Sequence, residues 1–156
     1  MIRDFKAGDI GWVISQHGEI YAREYGFNDE FEWDILGKAA TLYVNRDDFT
    51  RFWMYELDGE RAGSIVISRR APGIAFINFV VVLEEYRGQG IAKELMLRVL
   101  EHCREYGFKR IRLETFDCLV TARKLYSDLG FKVVESVASY KRYGPDLKQE
   151  FWELDF

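Results

Sequence analysis

Glu85-Tyr86-Arg87-Gly88-Gln89-Gly90-Ile91-Ala92 is the stretch of this 156-residue chain whose residue types and spacing suit chemistry best. Two glycines let a backbone turn sharply and come close to a ligand. The residues after Gly90 carry a helical apolar pattern, so the free N–H groups of a helix start would point out of the turn. A helix N-terminus with glycine access is an anion site, and the natural anion is phosphate. Arg87 adds a fork of donors at the same place. A glycine-rich turn with no ligand is the plain alternative.

Three nucleotide patterns compete for this loop. An ATP or GTP loop ends in Gly-Lys-Ser/Thr, whereas this one ends in Gly90-Ile91-Ala92. A dinucleotide fingerprint needs Gly or Ala three residues after Gly90, and Lys93 stands there. The third pattern, Arg-x-x-Gly-x-Ala, binds the pyrophosphate of coenzyme A and fits Arg87, Gly90 and Ala92 as they stand.

The elements that would hold the loop follow from hydrophobic period. Ile2–Phe5 reads as a short strand. Asp9 reads as the N-cap of a helix carrying Ile10, Val13 and Ile14. Gly18 and Gly26 bracket a segment, Glu19–Tyr25, that the pattern leaves open. Asn28 opens a longer helix in which Phe31, Ile35, Leu36, Ala39, Leu42 and Tyr43 recur at three- and four-residue steps. Arg51–Leu57 and Arg61–Arg69 are strands joined by the hairpin turn Asp58-Gly59. After the Pro72-Gly73 turn, the apolar run Ile74–Leu83 reads as a central strand buried on both faces. Then come a helix over Ile91–Tyr106, a strand over Arg110–Phe116, a helix over Leu119–Leu129 closed by Gly130, and strands over Phe131–Tyr140 and Gln149–Leu154. The expected class is α/β (α+β by some conventions). The sheet is mixed and mostly antiparallel, with six to seven strands, a central parallel pair, and helices on both faces. Residues 1–156 are expected to form one domain.

Composition narrows the function classes. The net charge is −4, from 22 basic and 26 acidic residues, which argues against nucleic acid as a partner. No apolar stretch approaches a membrane span, and the N-terminus lacks the apolar core of a signal peptide, so a cytoplasmic location is expected. Cys103 and Cys118 stand alone, with neither a disulfide framework nor a metal set around them. The surplus is aromatic: twelve Phe, nine Tyr and four Trp. Phe52, Phe76, Phe79, Phe116 and Phe131 fall in strands and suit a core, whereas Trp12, Tyr21, Tyr25, Phe27 and Trp33 cluster before residue 34.

Arg87–Ala92, then Ala122-Arg123-Lys124-Leu125-Tyr126 and Gly130-Phe131, resemble the acetyl-CoA motif and the following helix of the GNAT superfamily of N-acetyltransferases. The element order agrees with that family over essentially the whole chain. Gly8–Val13, His17-Gly18 and Tyr21–Gly26 further resemble the acetyltransferase half of bacterial fusion proteins that begin with a MarR-type winged helix. A chain of this length leaves no room for the winged helix, so a stand-alone version is expected, without the DNA role of the fused relatives.

The resemblance implies transfer of acetyl from acetyl-CoA to an amine by direct attack in a ternary complex. It implies that Arg87, Gly88, Gln89, Gly90, Ile91 and Ala92 bind the pyrophosphate. The pantetheine arm would pair like a strand with Val81, Val82 and Leu83 where the two parallel strands splay, and an N–H near Val82 would polarise the thioester carbonyl. Tyr126 matches the general acid that protonates the leaving thiolate; the alternative is a packing tyrosine. Asp117 stands where relatives contact pantetheine, and it equally suits an N-cap. Glu114 is the candidate base, against a surface salt-bridge face shared with Arg110 and Arg112. The segment holding Trp12, His17, Tyr21 and Tyr25 would line the acceptor site, where Asp29, Glu30, Glu32 and Asp34 add negative potential. No metal is implied. A catalytically silent acyl-CoA sensor is the alternative function, and the oligomeric state, a homodimer included, stays open.

Overall fold

The computed structural model describes residues 1–156. Its elements are β1 (Ile2–Asp4), α1 (Asp9–Tyr25), α2 (Glu30–Val44), β2 (Arg51–Leu57), β3 (Glu60–Ala71), β4 (Ile74–Val82), α3 (Ile91–Glu105), β5 (Arg110–Phe116), α4 (Val120–Asp128), β6 (Lys132–Tyr140) and β7 (Leu147–Asp155). A single 3₁₀ turn, Glu84–Tyr86, leads from β4 into the glycine loop. The strands form one sheet of seven in the order β1-β2-β3-β4-β5-β7-β6, antiparallel everywhere except between β4 and β5. This is the mixed α/β sheet that the alternating periods imply.

Each face of the sheet has its own core. Ile91, Leu95, Val99 and Cys103 of α3 and Tyr126 of α4 pack on Ile65, Ile67, Ile111 and Leu113. On the other face Val13 of α1 and Phe31, Ile35 and Ala39 of α2 cover Met54, Val66, Phe79 and Phe116. Helices thus lie on both faces, because strand side chains alternate between them. Cys103 is a core thiol, its pKa pushed up by burial to about 12.

Three local features go beyond the residue-pattern expectations. First, α1 runs unbroken through Gly18 to Tyr25. Gly18 does not break the helix; it faces α2, where the Glu32 side chain lies against it. Second, Asp9 is not the N-cap. Gly8 takes that place at φ 95°, and Asp9 is the first helical residue. Its wholly buried carboxylate accepts from Arg3 Nη1 (2.7 Å), Arg61 Nε (2.8 Å) and the Lys6 N–H (2.7 Å), tying α1 to β1 and β3. Third, β4 is bulged. Its register against β3 slips between Ser64 and Val66, and Phe79 sits at φ 55°. Ser64 Oγ donates to Phe79 O at 2.8 Å and holds the bulge in place. A bulge kinks its strand and increases local twist.

The bulge has a consequence next door. β4 and β5 pair only at Ile74–Phe76 against Arg110–Arg112. Beyond that point the strands part, and the sheet opens into a gap between Ile77–Val82 and Leu113–Phe116.

Candidate active site

The gap is a cavity of about 290 Å³, walled by β4, β5, α1, α2 and α4. Val81 and Val82 border it, as do Arg87, Ala92, Glu114 and Tyr126, together with His17, Tyr21 and Tyr25. Residues distant in sequence, expected to serve cofactor, acid, base and acceptor, therefore meet around one opening.

The backbone at its edge is free to donate. Leu83 N–H donates to Ala62 O at 2.9 Å, so strand alternation turns the Val82 N–H and C=O toward the gap. Leu83 itself is a correction: its amide is committed to β3 and it does not border the gap. At the loop, Gly88 and Gly90 stand at φ 78° and 80°, the left-handed region that glycine enters without strain. None of the N–H groups from Gly88 through Lys93 has an acceptor within the protein. No side chain caps α3. That run of unmet donors at a helix N-terminus fits a pyrophosphate. Ile91 contributes only its N–H, since its side chain is in the α3 core.

Arg87 points elsewhere. Its guanidinium grips both carboxylate oxygens of Glu24, Nη2 to Oε2 at 2.8 Å, and Nε donates to Val82 O at 3.1 Å. The fork expected to hold pyrophosphate instead joins the last turn of α1 to the loop.

Tyr126 is buried on α4, its ring edge-on to Trp152 at 6.1 Å. Its hydroxyl has no hydrogen-bond partner in the protein, and burial raises its pKa to about 12. The helix beneath it is fixed by Arg123, which makes a two-pronged contact with the buried Glu150 at 2.8 and 3.0 Å. Asp117 neither caps α4 nor borders the gap. Its Oδ1 accepts the Lys148 N–H at 2.9 Å, closing the end of the β5–β7 ladder, while the α4 cap position belongs to Leu119.

Glu114 lies on the same face of β5 as Arg110 and Arg112 but pairs with neither. Arg110 pairs with Asp155 and Arg112 with Glu153 and Glu135. Glu114 is left with the Gln149 amide at 2.6 Å and Lys38 Nζ at 3.9 Å. It borders both the gap and a second, polar cavity of about 730 Å³ beside α2.

The aromatic segment divides. His17, Tyr21 and Tyr25 recur every fourth residue on α1 and face the gap. Tyr21 stacks on Phe31 at 4.6 Å and on His17 at 5.8 Å. His17 is buried, its Nδ1 donates to Val13 O at 2.8 Å, and burial lowers its pKa to about 4, so its ring is neutral at pH 7. Trp12 is a correction. It precedes His17 by five residues, about 140° around the helix, and packs on the α1–α2 core away from the gap. Phe27 is core, and Trp33 is exposed at the polar cavity. Half of the expected acidic field is neutralised: Arg142 pairs with Asp34 at 2.8 Å and with Glu30 at 3.5 Å, while Asp29 and Glu32 have no cation partner. Lys38 was missed by residue pattern, although it lies three residues beyond the buried Ile35, on the same face of α2.

A model of the acetyltransferase (GNAT) family matches residues 14–131. The uncharacterized N-acetyltransferase YjgM of Escherichia coli K12 is 36% identical over 87 residues, 54% of this chain and 52% of that protein. The chain spans about half the length of the first curated relatives it matches. Among solved structures, the ribosomal-protein-alanine N-acetyltransferase of Brucella melitensis superposes with a TM-score of 0.80 at 17% identity, covering 100% of this chain and 99% of that one. The yncA protein of Salmonella typhimurium, solved with acetyl-CoA, gives a TM-score of 0.76 at 17% identity, with coverage of 99% and 92%. At that identity the likeness is one of fold.

Proposed function

We propose that this chain, which belongs to the acetyltransferase (GNAT) family, transfers an acetyl group from acetyl-CoA to a primary amine of a small molecule or peptide while both are bound, in the cytoplasm. The observation that carries the reading is the convergence of Val82, Tyr126 and Glu114 on one gap, at whose edge the loop donors are unmet. The finer placement beside the acetyltransferase half of MarR-type fusion proteins rests on the Gly8–Val13 and Tyr21–Gly26 residues alone.

Acetyl-CoA supplies an activated acetyl thioester and a thiolate leaving group. The chain supplies the rest. The N–H groups from Gly88 to Lys93 hold the pyrophosphate without a side-chain charge. The free edge of β4 offers its amides to an extended chain, and the Val82 N–H sits where it can polarise a carbonyl. Tyr126, protonated at every physiological pH, carries the proton for the departing sulfur. An alkyl ammonium has a pKa of ~10.4 and must lose a proton to attack, and Glu114 is the carboxylate at the border where the amine would arrive. His17, held neutral by burial, shapes the wall.

The test is direct. Incubation with acetyl-CoA and a panel of amines should release free thiol, and acetyl-CoA should raise the melting temperature. Binding without turnover on any amine points to the silent sensor; neither binding nor turnover overturns the reading.

A further inference from the structure

The polar cavity beside α2 shares Lys38, Phe76, Asn78 and Glu114 with the gap, so it is the gap's continuation on the α1–α2 side of the sheet. Its charges can be sorted by what already satisfies them. Asp34 is taken by Arg142 and by the Tyr143 hydroxyl at 2.8 Å. Asp47 is taken by Arg69 at 2.8 Å and by the N–H groups of Phe49 and Thr50. Three charges have looser partners or none: Glu114, which also accepts the Gln149 amide at 2.6 Å, Lys38 and Arg70. Glu114 has no closer cation than Lys38, at 3.9 Å. Lys38 has no other partner. Arg70 has none.

Arg70 differs from its neighbours in this respect. Arg69 and Arg112 each grip two acids, whereas no carboxylate lies within 4.0 Å of Arg70. Its guanidinium lies over the Phe76 ring at 3.9 Å, which fixes its plane and leaves its N–H edge free. Burial and the nearby Arg112 charge hold its pKa below the usual arginine value, against the opposing pull of the Glu114 carboxylate. The cavity is therefore lined by one anion, Glu114, at the gap and by two exposed cations, Lys38 beside it and Arg70 at the end of β3. A polycation would meet two like charges there. A molecule with an ammonium at one end and a carboxylate at the other would meet Glu114 with the first and Arg70 with the second.

We propose that the acceptor is a small amine that also carries a carboxylate, such as a free amino acid, and that Arg70 is the residue that fixes this specificity by holding the carboxylate while the amine lies at Glu114. The proposal rests on the acetyl-transfer reading and names its second substrate class. The fork of Arg70 suits a two-pronged contact with carboxylate, and the Ser68 hydroxyl and Asn78 amide beside it complete a polar lining. The cavity volume accommodates an amino acid with its side chain.

The experiment compares free amino acids with their carboxamides, which keep the amine and lose the anion. For the wild type, kcat/KM from thiol release should favour the amino acid at least tenfold. In Arg70→Gln that preference should collapse through a raised KM for the amino acid, and Arg70→Lys should restore part of it. Arg70 is exposed at the end of β3, and an unchanged melting temperature confirms that the variant is folded. Carboxamides used as well as amino acids, or an Arg70→Gln enzyme with undiminished preference, would overturn the proposal while leaving acetyl transfer standing. Should no acceptor turn over, calorimetry of amino acid against carboxamide on coenzyme A-saturated protein reads the same contrast. Equal binding, or binding by neither, sinks the carboxylate site, and absence of coenzyme A binding sinks the acetyl-transfer reading itself.

Discussion

Glu24, on the last turn of α1, clasps the guanidinium of Arg87, the first residue of the glycine loop, with both carboxylate oxygens. The wall that faces the acceptor is thereby fastened to the loop that faces the cofactor. Arg87 also reaches Val82 O at 3.1 Å, so one side chain touches α1, β4 and the loop.

That geometry makes Arg87 a positioning residue. Glu24→Gln should weaken acetyl-CoA binding in the same direction as Arg87→Ala, by two- to fivefold, about 0.5–1 kcal/mol for a half-exposed pair. Titration calorimetry of both variants is the check. Tighter binding in Glu24→Gln would mean that Arg87 leaves Glu24 to reach the pyrophosphate.

At Gly90 the constraint is conformational. Its φ of 80° is unfavourable for a branched side chain, although a Cβ there would meet nothing within 4 Å. Gly90→Val should weaken acetyl-CoA binding tenfold or more, about 1.4 kcal/mol. Gly90→Asn, which tolerates the left-handed region, should lose much less. Equal losses in the two would point to bulk instead.

Tyr126→Phe removes an unpartnered hydroxyl and leaves the packing against Trp152 and Phe131 in place. The melting temperature should hold, acetyl-CoA affinity should change little, and kcat should fall roughly 10²-fold or more. Because burial lifts the tyrosine pKa to about 12, wild-type activity should show no fall between pH 9 and 10 from this group. A wild-type rate retained in the variant would return Tyr126 to a packing role.

Acid stability should decline in two windows. His17 has its folded pKa lowered by burial from 6.5 to about 4, so between those values the unfolded chain binds the extra proton and stability falls as pH falls. Asp9 follows. Burial works to raise its pKa, but hydrogen bonds from Arg3, Lys6 and Arg61 prevail and hold it at about 2 against an ordinary 3.8. Its contribution is complete above pH 4 and is lost toward pH 2, about 2 kcal/mol in all. Denaturant titrations across pH should show the upper window vanish in His17→Gln and the lower one in Asp9→Asn. An unchanged slope in either variant refutes its assignment.

What the residue pattern disclosed depended on the physical mark each feature leaves. The glycine loop was legible because a left-handed turn before a helix demands its residue types, and the hairpin at Asp58-Gly59 likewise, with φ of 52° and 80°. Tyr126 became a candidate through the motif around it, and Glu114 through its place on the strand beside the gap. The bulge at Phe79 left no mark, since an apolar run reads the same whether straight or slipped. Gly18 left its segment open because a glycine within a helix and a glycine that ends one look alike in sequence. Trp12 misled because clustering in sequence is not clustering in space; the four-residue step of His17, Tyr21 and Tyr25 was the better guide. Asp117 answered to Lys148, a strand partner that no local window contains.

The short pairing of β4 with β5 has a mechanical consequence. Three register positions are all the strand pairing that joins a four-stranded plate, β1 to β4, to a three-stranded plate, β5, β7 and β6, and the helices packed on both faces supply the rest of the connection. An extended ligand chain lying in the gap would act as a cross-brace between the plates. Amide exchange at Val80–Val82 and Leu113–Phe116 should slow together when it binds, and the two plates should then unfold as one body.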